Sequence, residues 1–141
     1  MKLPIIRSLL PRPYVPAIDQ HSKVFWDALE NGEFLLNRCN ACSSLQFPPR
    51  PQCPSCLNSD VNWQPTAGHG KLYASTRVYA AGGPFACMTP YSVGLIDLDE
   101  DVRILLRLLH DASSLSPGSA VQLAVINHSD GPLFAGIAAQ E

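Results

Sequence analysis

Two matched pairs of cysteines, Cys39-Asn-Ala-Cys42 and Cys53-Pro-Ser-Cys56, stand ten residues apart and constrain this chain more than any other feature. Each C-x-x-C turn lets two sulfurs reach a single ion. Four thiolates gathered in this way make a tetrahedral soft-ligand site whose usual occupant is Zn²⁺. The expectation is one structural zinc ion held by Cys39, Cys42, Cys53 and Cys56. With four protein ligands there is no open position for water or substrate, so such a site builds structure and does not catalyse. Rubredoxin-type iron uses the same cage, and the spacing leaves that metal open. Disulfide pairing is the rival arrangement, but the chain has no secretory signature. A thioredoxin-like redox role needs a C-x-x-C opening a helix after a strand, which two equivalent turns do not supply.

The segment between the pairs contains the stiff run Phe47-Pro48-Pro49-Arg50-Pro51 and is long enough only for a small hairpin. From Cys39 to about Trp63 the core is too small to hold without an ion, so metal binding and folding of this part are expected to be coupled. The fifth cysteine, Cys87, stands apart in Gly82-Gly83-Pro84-Phe85-Ala86-Cys87. A nucleophile needs an adjacent base, and nothing in the sequence puts any of the four histidines beside it, so it reads as a half-buried spectator thiol.

The 141 residues support one ordinary domain, or a small domain with a metal-stapled appendage. A net charge of −2 with only 10 Lys+Arg argues against a dominant non-specific nucleic-acid surface. No apolar run approaches a membrane span, and the start is broken by Pro4 and Arg7, so a reduced cytoplasmic protein is expected. Prolines cluster in residues 4–16 and 48–54 and predict stiff, extended connectors there.

Along the chain, residues 1–17 read as an extended arm that is ordered only if it packs on something. Asp19 is a candidate helix N-cap. Val24, Phe25, Ala28 and Leu29 recur at helical spacing, and Asn31-Gly32 is a stop. Glu33–Arg38 reads as a strand entering the first cysteine turn. Leu72, Ala74, Thr76 and Val78 alternate with polar or aromatic neighbours, which predicts a half-buried strand. Residues 91–98 form a second strand, and Asp99-Glu100-Asp101 a charged turn. The apolar run 102–109 suits helix or strand by periodicity, and the tight turn before it favours the second arm of a hairpin. Strands follow at 120–126 and 133–138. The expectation is a mainly β chain: a short N-terminal helical segment, a zinc ribbon and a five-stranded OB-fold barrel. The corresponding divisions are 1–36, 37–65 and 66–141.

These motifs in this order resemble the DUF35 family. The resemblance rests on Phe25-Trp26, Gly32, Cys39-x-x-Cys42, Phe47-Pro48-Pro49-Arg50 and Cys53-Pro54-x-Cys56. It continues through Gly68-x-Gly70, Tyr73-x-Ser75, Pro90-Tyr91, Asp97-Leu98-Asp99-Glu100 and Gly118-x-x-Val121, covering roughly residues 19–126. Asp101 departs from it by standing where the family usually turns with glycine. The resemblance implies a rubredoxin-like ribbon joined to an OB-fold. It also implies a non-catalytic accessory or scaffold subunit in a hetero-oligomer with a thiolase-fold enzyme or an acyl-CoA hydratase, with contact to acyl-CoA as a further implication. Candidate contacts are Phe25, Trp26 and Phe47 for a partner, and Arg38 and Arg50 for CoA phosphates, since guanidinium groups pair well with phosphate. The plainer reading makes the aromatics core residues and the arginines ordinary surface residues. The alternative function is a nucleic-acid-binding module with Tyr73, Tyr79 and Phe85 stacking on bases, against which the charge stands.

Overall fold

The computed structural model describes residues 2–139, with the backbone alone of residues 110 and 111. The proline-rich arm contributes a short strand, β1 (Ile5–Arg7). The helix α1 (Lys23–Glu30) follows. The turn leading into it, whose last residue Ser22 is the N-cap, is locked by a reciprocal pair of bonds: the Ser22 N–H donates to Asp19 Oδ1 at 2.7 Å, and the Asp19 N–H donates to Ser22 Oγ at 3.0 Å. The bond from the Ser22 N–H also holds the Asp19 carboxyl below its usual range. The helix ends as the sequence predicts. Gly32 takes φ +84°, while the Glu33 N–H donates to Ala28 O and the Gly32 N–H to Leu29 O. The buried stripe is narrower than its spacing suggests: Phe25 and Leu29 are buried, but Val24 is 43% exposed.

β2 (Phe34–Cys39) runs between β3 (Leu45–Gln46) and β4 (Val61–Thr66) in a three-stranded antiparallel sheet. Pro65 lies within β4. It pairs with Leu35. Proline is tolerated there because β4 is an edge strand and needs no outward N–H donor.

Five strands then close a barrel: β5 (His69–Val78), β6 (Tyr91–Leu98), β7 (Arg103–Leu108), β8 (Ala120–His128) and β9 (Gly131–Ala138). The order β8-β5-β6-β7-β9 returns to β8, every pairing being antiparallel except β7–β9. This is the OB-fold expected from the strand count, and the run 102–109 resolves as a strand. Strict alternation of buried and partly exposed residues along β6 puts Ile96 and Leu98 inside. A register shift between Leu72 and Ala74 bends β5, as closure of a small barrel demands. The parallel contact between Leu108 and Gly136 requires glycine: a Cβ at 136 would lie 2.9 Å from Leu106 and 3.1 Å from Leu108 and Val121. Asp101 adopts φ +63°, the left-handed geometry that glycine supplies more easily and Asp tolerates.

β5 pairs only with residues 120–122 of β8, so the rest of that edge is open. β1 fills it, running parallel to β8 with Ile5 opposite Val125. Beyond it, Arg12 ties the arm to the β8–β9 turn: its N–H donates to Asp130 Oδ1 at 2.8 Å and its guanidinium to Asp130 O at 3.1 Å. The arm is therefore ordered because it packs on the barrel.

Four phenylalanines join the parts. Phe25 of α1 stands 5.0 Å from Phe34 of β2 and 5.5 Å from Phe47, while Phe134 of β9 stands 5.1 Å from Phe34 and 5.8 Å from Phe47. Several of these pairs meet edge to face, the arrangement that favours the ring quadrupoles. Phe25 is 1% exposed and lies among the core rings, so the structure removes it from any surface a partner can reach. Phe25→Ala is expected to lower unfolding free energy by about 3–5 kcal/mol in urea denaturation. A loss below about 1 kcal/mol, the range of a surface substitution, contradicts this placement.

Candidate functional site

The two cysteine turns are built to one plan. In the first, the Ser43 N–H donates to Cys39 O and the Cys39 N–H to Ser44 O. In the second, the Leu57 N–H donates to Cys53 O and the Cys53 N–H to Asn58 O. The fourth residue after each leading cysteine takes the left-handed conformation, Ser43 at φ +63° and Leu57 at φ +65°. β2 delivers Cys39 at its end, and the Asn40 side chain, bonded to Asp60 Oδ1 at 3.0 Å, draws the segment after the second turn back toward the first. The two turns face each other, and the four sulfurs lie within 4.8 Å of one another.

Cys39 Sγ is 3.5 Å from Cys56 Sγ, and Cys42 Sγ is 3.7 Å from Cys53 Sγ. Tetrahedral coordination with bonds of ~2.3 Å puts sulfurs ~3.8 Å apart, so the donor set fits one soft divalent cation. Cys39 and Cys53 are buried, while Cys42 and Cys56 face outward. The Ser44 hydroxyl, missed at the sequence level, sits 3.1 Å from Cys42 Sγ and 3.5 Å from Cys53 Sγ. That hydroxyl, followed by backbone N–H groups of Cys56 and Ser55, holds the Cys53 thiol down at about 6. It also lowers Cys42. At Cys56 the Asn58 backbone N–H favours the thiolate, but the neighbouring sulfurs of Cys39, Cys42 and Cys53 overcome it and push the thiol up to about 12. Four anionic sulfurs at this separation repel one another, and a cation removes the penalty.

The other predicted site residues divide. Trp26 is half-buried beside Phe25, and Phe47 is half-buried against the core. Arg38 is exposed on β2, its guanidinium 3.4 Å from Gln64 Oε1. Arg50 has an exposed side chain and a fixed backbone: its N–H donates to the Oδ1 of buried Asn37 at 2.8 Å. The same oxygen lies 3.2 Å from His21 Nε2, and the His21 ring stacks on Trp63, so Asn37 ties the turn before α1 to the ribbon. A lone Asn in a strand carries no sequence signal for such a role. Cys87 is exposed rather than half-buried, on a 3₁₀ turn over Gly83–Met88 and away from the sulfur cluster. Among the described residues, no helix is long and apolar enough to cross a membrane.

Comparison with known proteins agrees with this geometry. Residues 26–62 match the family model for the ChsH2 rubredoxin-like zinc ribbon domain, and residues 63–126 match that for the ChsH2 C-terminal OB-fold domain. The chain is 32% identical over 103 residues to a probable enoyl-CoA hydratase alpha subunit of Thermomonospora curvata, covering 73% of this chain and 31% of that one. It is 36% identical over 88 residues to the benzoylsuccinyl-CoA thiolase subunit BbsA of Thauera aromatica, covering 62% and 60%. The chain thus spans less than two thirds of the length of either relative. Among solved structures it resembles a chain of the Ltp2-ChsH2(DUF35) aldolase, with TM-score 0.77 and 28% identity, over 89% of this chain and 100% of that one.

Two tests follow from the geometry. Cys39→Ser and Cys53→Ser should each weaken metal binding at least a hundredfold, since ~10–16 kcal/mol of binding energy is shared among four ligands. Elemental analysis and near-ultraviolet dichroism check this, and full metal content in either variant contradicts the assignment. Leu57 is 67% exposed and held in a left-handed conformation. Leu57→Gly should therefore raise stability by up to about 1 kcal/mol, and Leu57→Val should lower it, as read by chemical denaturation of the metal-loaded chain.

Proposed function

The chain belongs to the DUF35 family, with a ChsH2-type zinc ribbon and OB-fold, and from that membership we propose that it is a non-catalytic accessory subunit of an acyl-CoA enzyme complex. Its partner on this reading is a thiolase-fold enzyme or an acyl-CoA hydratase, and the reacting groups sit on that partner. The observation that carries the reading is the likeness over the full length of a DUF35 chain from the Ltp2-ChsH2(DUF35) aldolase. Relatives named as a hydratase alpha subunit and a thiolase subunit support it.

The bound ion is proposed to be a single Zn²⁺ held by Cys39, Cys42, Cys53 and Cys56. The match to a zinc-ribbon family model supports zinc, and the sulfur spacing fits a tetrahedral four-thiolate ion. The proposed division remains an arm and helix over residues 1–36, a ribbon over 37–65 and a barrel over 66–141. The register of β2 against β4 carries the ribbon's sheet from Phe34 to Thr66, and the arm lends β1 to the barrel edge. Trp26 is the aromatic offered to a partner. Arg38 and Arg50, both exposed, are the cations offered to CoA phosphates.

Affinity capture of the tagged chain from its native host, with mass spectrometry of the bound proteins, tests the proposal. A thiolase-fold or hydratase subunit in fixed ratio is the expected result. Nucleic acid with its usual proteins, and no such enzyme, contradicts it. Trp26→Ala should stay folded and weaken the capture at least tenfold, the scale of a buried aromatic at an interface. A folded variant that captures as well as the parent removes Trp26 from the contact.

A further inference from the structure

We propose that the barrel carries a small-molecule site separate from the metal centre, and that it takes an amphiphile with a short hydrophobic body and a carboxylate. The site is a cleft of about 310 Å³, at the lower end of the size of ligand pockets. Residues of β7 and β9 line it, Leu105, Leu106 and Leu133 among them. Tyr14 of the arm and Phe85 of the 3₁₀ turn close it from two sides, their rings 5.4 Å apart. None of its lining residues is a metal ligand, nor is any of them Trp26, Arg38, Phe47 or Arg50.

The apolar wall is interrupted by two polar side chains. Arg107 Nε is buried without a hydrogen-bond partner, and so is His128 Nδ1. A buried donor with no acceptor is costly, so Arg107 Nε in an apolar cleft indicates that an acceptor belongs there, while His128 Nδ1 donates or accepts according to its tautomer. Arg107 is a fixed cation, and its planar fork matches a carboxylate better than any neutral group. The carboxylate therefore sits at Arg107, and the hydrophobic body lies along Leu105 and Leu133 under the Tyr14–Phe85 pair. A polypeptide or a nucleic acid fills such a volume poorly, whereas a chain of roughly ten non-hydrogen atoms fills it well. The inference stands apart from the accessory-subunit reading, because it concerns the chain alone.

The test is a titration of the metal-loaded full chain with octanoate, and with 1-octanol as the uncharged control, followed by methyl NMR. Octanoate should give saturable shifts at Met88, Leu105 and Leu133 in the millimolar range or below. Arg107→Met should weaken octanoate about tenfold while leaving 1-octanol unchanged, the loss expected for a charged hydrogen bond. Leu105 is 64% exposed, so Leu105→Glu keeps the fold even if Arg107→Met does not. Its added negative charge should weaken octanoate more than 1-octanol. The proposal is overturned if no saturable shift appears, if shifts fall outside the cleft, or if both compounds respond alike in the variants. Partner capture by Leu105→Glu is a separate readout, so failure of this site and failure of the accessory reading are told apart.

Discussion

Four sulfurs held within 4.8 Å of one another are the constraint from which the rest of this molecule follows. A loop-rich segment of this length buries only a few apolar groups, and its three-stranded sheet is too small to hold by itself. On the proposed reading, a cation held by the four sulfurs supplies what the core lacks. It cancels the repulsion that pushes Cys56 up and lets all four sulfurs ionise together. Once both turns are tied to it, β2 and β4 are fixed in register and Phe34 and Phe47 are presented on one side of the ribbon. The site spends all four of its ligands on this, so a chemical role for the same ion has no coordination position left.

The ribbon is not a loose appendage. Phe34 and Phe47 interlock with Phe25 of α1 and Phe134 of β9, and the arm covers the open edge of β8 before Arg12 closes on Asp130. Aromatic cores of this kind lose much stability when one ring is removed, and they permit little relative movement. Whatever the exposed side of the ribbon meets, it meets at a set angle to the barrel. That is the property a scaffold needs, and it links the sulfur cluster to the placement of Trp26, Arg38 and Arg50.

The sequence was most legible where the controlling interactions are local. C-x-x-C turns, the Gly32 end of the helix and the strand at 91–98 each rest on signals within a few residues, and all three read correctly, whereas the N-cap is Ser22 rather than Asp19. Val24 misled because helical spacing alone does not say which side of a stripe faces the core, and Phe25 with Leu29 took it. The cleft was invisible for a different reason: Tyr14, Phe85, Arg107 and His128 come from four separated segments and meet only after the barrel closes. Ser44 and Asn37 are in the same position, since one hydroxyl or one amide gains meaning only from the sulfur or backbone that folding brings beside it.

The central claim is that this chain holds its metal in a closed, wholly sulfur cage, and X-ray absorption spectroscopy of the purified, metal-loaded protein tests it most directly. The account predicts a zinc edge with four sulfur neighbours at ~2.3 Å and no oxygen or nitrogen in the inner shell. A shell with three sulfurs and one light atom contradicts it, because such an ion has a position open to water or substrate and the chain ceases to be a purely structural partner.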